Sequence, residues 1–263
     1  MAEYISPPGT LTGDSLYLSP ARKERGTGSR PKMLMSLGRA GTMGASYETG
    51  HPNRLTFFKR CGIPEERVAG LKQIHSKLVH APPFPPDEGT ARVVPEGDGL
   101  VTDRPEHILA VTVADCLPIF LYHPSGTPFG VVHSGWKGTG IAAEAVRRIR
   151  TLYGTPPAEL RALIGPGIGP CCYGVDEERA GYFMQNWGKE TAEKRDRWYL
   201  DLKKANCILL EESGVTEITV YGTCTCCNTA FGSYRRERTG GNDGAGNGSA
   251  DFTRMIALIG HLL

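Results

Sequence analysis

Apolar residues in this chain gather in short, β-branched runs separated by glycine, proline and charged residues. The stretches 99–102, 108–113, 116–122 and 129–133 are apolar at successive positions, the pattern of strands covered on both faces. Further strands are predicted at 32–37 (KMLMSL), 160–164 and 217–221, and the closing run RMIALIGHLL predicts a last buried strand. RVAGLKQIHSKLVHA, at 67–81, alternates instead. Leu71, Gln73, His75, Lys77 and Val79 fall on one face, which predicts one longer strand. A period of 3.6 takes over in TGIAAEAVRRIRTLYG, where Ile141, Ala145, Ile149 and Leu152 form one stripe. Thr139 stands at the N-cap position of this helix and Gly154 just past its end. Three shorter helices are expected: 53–61, ended by Gly62 and Pro64; 176–187, capped by Asp176; and 202–212, ended by Gly214. Residues 1–31 are rich in proline, glycine, serine and charge and predict a loose N-terminal arm. That leaves 32–263 as a single domain. Two stretches read as loops: the proline-rich run APPFPPDEGTARVVPEGDG and the low-complexity run 239–250.

Composition narrows the class without choosing an activity. A chain of 263 residues with 40% hydrophobic and 22% charged residues has material for a core. A net charge of +2 and a pI near 8.1 are too balanced to point at nucleic acid or an anionic membrane. No apolar run approaches the roughly 18 residues of a membrane span, and the N-terminus lacks a signal-peptide pattern, so a cytoplasmic location is expected. There the eight cysteines are expected as thiols, ligands or a nucleophile rather than disulfides. Five of them stand in two groups, Cys171-Cys172 and Cys224-x-Cys226-Cys227, which would make a second, structural zinc site if the two loops meet. Neither GRAGTMG nor GPGIGP has the spacing and context of a dinucleotide-binding turn.

The candidate chemistry lies in VTVADCLPIFLYHPSGTPFGVVHSGWKGTG. Cys116 follows one apolar run, His133 ends another, and His75 comes from a separate predicted strand. A cysteine and two histidines suit a catalytic zinc site with a fourth position open to water, whose pKa such a metal lowers to about 7. The same trio without metal suits a cysteine nucleophile with a histidine base. It also suits a buried thiol beside two ordinary polar residues. The residues alone leave these three open.

Six motifs occur in order: LKQIHSKLV, GDGLVT, VTVADCLPIFLY, GVVHSGWKGT, IGPGIGPCCYGV and FGSYRRE. Together, from about residue 39 to the C-terminus, they resemble the YfiH-like family, also called the laccase-domain, multicopper polyphenol oxidoreductase or purine nucleoside phosphorylase family. The resemblance implies an α+β fold, a single domain of mixed and antiparallel β-sheets packed with helices and related to cysteine hydrolases. It implies one zinc on His75, Cys116 and His133, a site that copper could also occupy. The implied activity is phosphorolysis of adenosine, inosine and methylthioadenosine, with deamination of adenosine. The partners would be a purine nucleoside and phosphate, and the protein a monomer or small homo-oligomer.

Among candidate cations for phosphate, Arg39 occupies the family's Arg-Ala-Gly position and Arg235 follows in SYRRE; Arg54, Lys137 and Arg236 are further candidates. Gln73, on the predicted face of His75, is a candidate substrate contact. Asp115, beside the cysteine, is expected to accept a histidine N–H, carry a proton or cap a turn. Asp98 lies in a matched motif without an assigned role. Seven histidines and no His-x-His pair cannot build the trinuclear copper cluster of a blue oxidase, so phenol oxidation would be the side activity of a one-metal site. The rival readings are a peptidoglycan-precursor editing hydrolase, a metal-free Cys/His deamidase and a non-catalytic metal scaffold. The chain departs from the family pattern at TMGASYETGHPNR and in the run 239–250, where substrate contacts would be expected.

Overall fold

Side chains of a strand point alternately to its two sides, so a strand with no polar alternation must be covered twice. The computed structural model, which describes residues 2–5, 10–20, 30–44, 50–81, 94–239 and 252–262, meets this demand with two stacked sheets. The first runs β1 (Glu3–Ile5), β15 (Glu217–Tyr221), β11 (Arg161–Ile164), β9 (Leu117–Tyr122), β10 (Phe129–Ser134), β7 (Gly99–Thr102) and β6 (Val79–His80). The second runs β2 (Thr10–Thr12), β3 (Ser15–Leu18), β4 (Lys32–Ser36), β16 (Met255–Gly260), β8 (Ile108–Val113) and β5 (Val68–Ala69). Both mix antiparallel pairs, such as β9 with β10, with parallel ones, such as β6 with β7. A small third sheet joins β12 (Gly174–Val175), β14 (Trp198–Leu200) and β13 (Ala192–Lys194).

The period of two assigns each residue to a layer. Along β9, Phe120 and Tyr122 enter the core between the sheets, while Leu117, Ile119 and Leu121 face the outer side of the first sheet. There they meet α2 (Ile141–Tyr153), α3 (Glu177–Trp187) and α4 (Leu202–Glu212). Along β16, Met255, Ala257 and Ile259 enter the shared core, while Ile256 and Leu258 pack outward with Phe57 and Phe58 of α1 (Pro52–Cys61). The order of layers is therefore helix, sheet, sheet, helices, an α+β domain. Each fully buried Leu, Ile or Phe contributes about 1.5–3 kcal/mol, so the shared core is the main stabilising layer. Among the described residues no helix is long and apolar enough to cross a membrane.

Several elements depart from the sequence pattern. The run 67–81 is not one strand: its ends join different sheets, β5 with β8 of the second and β6 with β7 of the first, and between them Lys72 makes one isolated bridge, with Glu96. Packed sheets lie about 10 Å apart, so a segment that serves both must leave the ladder between them. His75 sits in that crossing with φ 59°, and the predicted shared face of Gln73 and His75 does not form. Within the expected loose arm 1–31, β1, β2 and β3 are strands, and Leu16 and Leu18 are buried between the sheets. Two apolar residues spaced to point the same way were enough to draw β3 into the core.

In α2 the cap is Gly140, at φ 104°, rather than Thr139, whose hydroxyl donates to the Gly135 carbonyl. Leu152 is exposed, and Ala142 and Val146 complete the buried stripe. The helix α5 (Tyr234–Thr239) and the small third sheet were not anticipated, being too short to show a period. Asp176 caps α3 through a bond from the Arg179 amide, as expected. Of the two predicted loops, residues 82–93 and 240–250 lie outside the described residues.

Candidate metal centre

Three neighbouring strands of the first sheet end at one place. Asp98 precedes β7, Cys116 precedes β9, and His133 lies in β10 between them, paired with Pro118. The crossing segment from sheet to sheet brings His75 to the same point. Ligand atoms of His75, Cys116 and His133 lie within 4.8 Å of one another. The two imidazoles meet edge to face, with centroids 4.8 Å apart. Gly135 leaves room for the thiol, since a Cβ there would stand 2.8 Å from Cys116 Sγ.

Asp98 organises this arrangement. Its fully buried carboxylate accepts from the amides of Ile74 (3.3 Å), His75 (3.0 Å) and Ser76 (2.6 Å), and from the Ser76 hydroxyl (2.8 Å). These bonds hold the crossing segment, including the left-handed backbone at His75. The carboxylate also lies 2.8 Å from His133 Nδ1. A carboxylate can only accept, so Nδ1 carries the proton and Nε2 is left for a metal or for the thiol. Burial raises the Asp98 pKa, but the bonds from His133 and Ser76 outweigh it and bring it to about 2.

Charges in the trio reinforce one another. Burial raises the Cys116 thiol, but the charge and hydrogen bond of His133, then those of His75, bring it down to about 6. Burial lowers His133, and the Cys116 thiolate and Asp98 raise it to about 9. Without metal, both shifts favour a thiolate beside an imidazolium. Thiolate and imidazole are the donors zinc and copper take, and three convergent protein ligands match a catalytic rather than a closed structural site. Among the described residues, His75 and Asp115 are the non-glycine positions with positive φ, 59° and 79°. Such backbones cost about 1–3 kcal/mol each and gather at functional sites.

The trio opens into a cavity of about 510 Å³. Aromatic rings of Trp136, Tyr173, Tyr234 and Phe252 line part of it, and the guanidinium residues Arg179, Arg235 and Arg254 line another part. Arg179 stacks on Trp136 with its guanidinium carbon 4.2 Å from the ring centre.

The remaining candidates separate clearly. Arg235 lines the cavity, and its Nη1 donates to the carbonyls of Cys172 and Gly174. Arg39 is exposed on a one-turn helix and is not among the lining residues. Lys137 is exposed, Arg54 is buried in α1, and Arg236 binds the carbonyls of Thr225, Cys226 and Phe231. Gln73 lines the cavity, yet its amide is engaged with Thr112, donating to that residue's carbonyl and accepting from its amide and hydroxyl. It stands in for a missing strand neighbour of β8.

Asp115 receives no histidine N–H, because Asp98 occupies that place. Its carboxylate accepts from Thr225 Oγ1 (2.7 Å), Ser233 Oγ (3.0 Å) and the Arg235 amide (2.6 Å), tying α5 to the site. Sequence reasoning did not assign Asp98, Trp136, Arg179 or Arg254. Asp98 carried a signal, an acid between two glycines just before a strand; Arg179 carried none, looking like any solvated helix charge.

The family model described as multi-copper polyphenol oxidoreductase laccase matches residues 21–246. The purine nucleoside phosphorylase YlmD of Geobacillus stearothermophilus is 34% identical over 222 residues, covering 79% of this chain and 77% of that protein. The solved structure of YlmD from the same organism superposes with a TM-score of 0.78 at 28% identity, covering 97% of this chain and 99% of that one. A Bacillus licheniformis hypothetical protein, YfiH, gives a TM-score of 0.73 at 27% identity over 88% of this chain and 92% of that one.

Proposed function

This chain belongs to the multi-copper polyphenol oxidoreductase laccase family, and on that premise we propose that it is a metal-dependent purine nucleoside phosphorylase. One observation carries the reading: a metal-type trio, aromatic walls and several guanidinium groups share one cavity large enough for a small ligand. The alternative in the family's description needs a cluster of coppers. Among the described residues the groups able to hold a metal contain one pair of histidines, so a trinuclear histidine site does not form.

In phosphorolysis an oxygen of phosphate attacks C1′ of the ribose, the bond to the purine nitrogen breaks, and the base leaves with the bonding electrons. Arg235, with Arg179 and Arg254, would hold the phosphate by charge and by paired N–H donors. Tyr173 and Trp136 offer flat surfaces for the purine, and Ile168 and Leu202 an apolar wall suited to a 5′-methylthio group. Asp98 keeps His133 in the tautomer that presents Nε2, and Asp115 fixes the start of α5 so that Arg235 reaches the cavity. His75, Cys116 and His133 would hold zinc, or copper, which supplies a Lewis acid and an activated water for the accompanying deamination of adenosine. Arg39 remains a candidate for phosphate only if a nucleoside draws its exposed side chain inward. Cys116→Ala should lose the metal held by His75, Cys116 and His133 together with phosphate-dependent release of purine from inosine and adenosine; full turnover in that variant would overturn the proposal.

A second reading rests on a specific alignment. Cys116, His133 and Asp98 stand in the order nucleophile, base and orienting acid that metal-free cysteine hydrolases use. His75 has no part in that chemistry but completes a ligand set. Turnover that survives complete removal of metal would favour the hydrolase.

A further inference from the structure

A second group of ligating side chains stands apart from the His75, Cys116 and His133 centre. The loop before β12 and the loop after β15 meet in a parallel bridge, Gly167 with Cys224, and the Thr225 amide donates to the Gly167 carbonyl. This contact brings Cys171, Cys172, Cys224 and Cys227 together, with all four sulfurs within 4.8 Å of one another. Cys227 Sγ lies 3.5 Å from Cys171 Sγ and 3.3 Å from Cys172 Sγ.

We propose that Cys171, Cys172, Cys224 and Cys227 form a four-thiolate structural site for zinc, independent of the proposed phosphorylase activity. Zinc–sulfur bonds of about 2.3 Å in a tetrahedron put the sulfurs about 3.8 Å apart, between the short and long separations present here. The four thiols therefore need to move by less than a bond length to surround one ion. Cys224 and Cys227 have the C-x-x-C spacing of a zinc knuckle, and the Gly169 amide donates to Cys224 Sγ at 3.2 Å, as amides of such loops do toward thiolates. Gly169 has no side chain for a reason: a Cβ there would lie 3.3 Å from Cys171 Sγ.

Four thiolates on one dication leave two negative charges, which must be offset. Lys203 is buried beside the cluster, its ammonium 2.8 Å from the carbonyl of Thr223, the residue before Cys224. A buried ammonium bonded to a backbone carbonyl suits an anionic neighbour. A disulfide would use two of the sulfurs and leave two without a role, whereas one ion accounts for all four. Each thiol gives up its proton to solvent as it binds, with no redox change.

The site would brace a wall of the cavity. The carbonyls of Cys172 and Gly174 hold Arg235, that of Cys226 holds Arg236, and Thr225 donates to Asp115. Fixing the two loops fixes the mounting of α5.

The test uses the full chain, purified under reductant, loaded with zinc and analysed for metal. Two zinc ions per chain are expected, falling to one in Cys116→Ala and to one in the Cys224→Ser, Cys227→Ser double variant. Cobalt(II) bound to Cys116→Ala should show the strong sulfur-to-metal absorption of an all-thiolate tetrahedral site. One zinc per chain, absent from Cys116→Ala, would overturn the proposal, as would a mass lower by two hydrogens showing a disulfide among the four. Should the double variant not fold, Cys116→Ala decides alone. Four of its thiols should resist alkylation until a chelator is added, and their alkylation at once in the zinc-loaded protein would overturn the site.

Discussion

Replacing Asp98 with asparagine should damage the metal centre more than any change of equal size at a surface acid. The carboxylate uses both oxygens: one faces the His75 amide and His133 Nδ1, the other the Ile74 amide, the Ser76 amide and the Ser76 hydroxyl. An amide NH2 must point one way or the other. Toward His133 it forces the imidazole to accept at Nδ1, putting the proton on Nε2, where the metal would bind. Toward Ser76 it sets a donor against three donors. Either way at least two hydrogen bonds to a buried charge are lost, each worth about 1.5–3 kcal/mol. The expected loss of stability is therefore about 3–6 kcal/mol, with partial relaxation keeping it near the lower figure. Removal of a carboxylate that orients a metal-bound histidine lowers metal affinity by about 10–100-fold. Urea unfolding reads the first quantity and competition with a chromophoric chelator reads the second. A variant with both unchanged would refute the role given to Asp98.

Gly135→Ala should weaken metal binding while leaving the fold intact, because the new methyl would stand 2.8 Å from Cys116 Sγ; metal titration against a circular dichroism spectrum checks both halves. In metal-free protein, Cys116 should react with iodoacetamide with a midpoint near pH 6 rather than 9, and bound zinc should suppress the reaction. The stability linked to Asp98 is present above its unfolded value of 3.8 and is lost as pH falls through about 2, amounting to about 2 kcal/mol. Acid unfolding followed by fluorescence should show that loss, and Asp98→Asn should abolish it. Arg235→Lys keeps the charge but loses the planar fork, and should raise KM for phosphate about tenfold with a smaller effect on kcat.

The legible parts of this chain were those whose chemistry is local. Uninterrupted apolar runs gave β7, β8, β9, β10 and β16, since a doubly covered strand needs nothing from its neighbours to be recognised. Asp176 and Gly154 gave helix ends by their own cap geometry. What stayed hidden depends on partners distant in sequence. The alternation of 67–81 is real, but two sheets compete for the segment, and Asp98 decides its path from more than twenty residues away. Asp115 looked like a partner for histidine because it adjoins Cys116; its left-handed backbone turns the carboxylate to Thr225 and Ser233 instead. The trio itself was named from its places at predicted strand ends and given a metal role by the motif resemblance, and the structure brings its three side chains together. Arg179 was invisible because only the stacking on Trp136 distinguishes it from a surface charge.

The central claim is that one metal on His75, Cys116 and His133 serves a phosphate-dependent cleavage of purine nucleosides. The most direct measurement follows release of hypoxanthine from inosine by one preparation, as purified, stripped of metal and reloaded with zinc, each with and without phosphate. Release that requires phosphate, disappears on stripping and returns with zinc is the predicted result. Release that persists in the stripped protein, or proceeds equally well without phosphate, would contradict it.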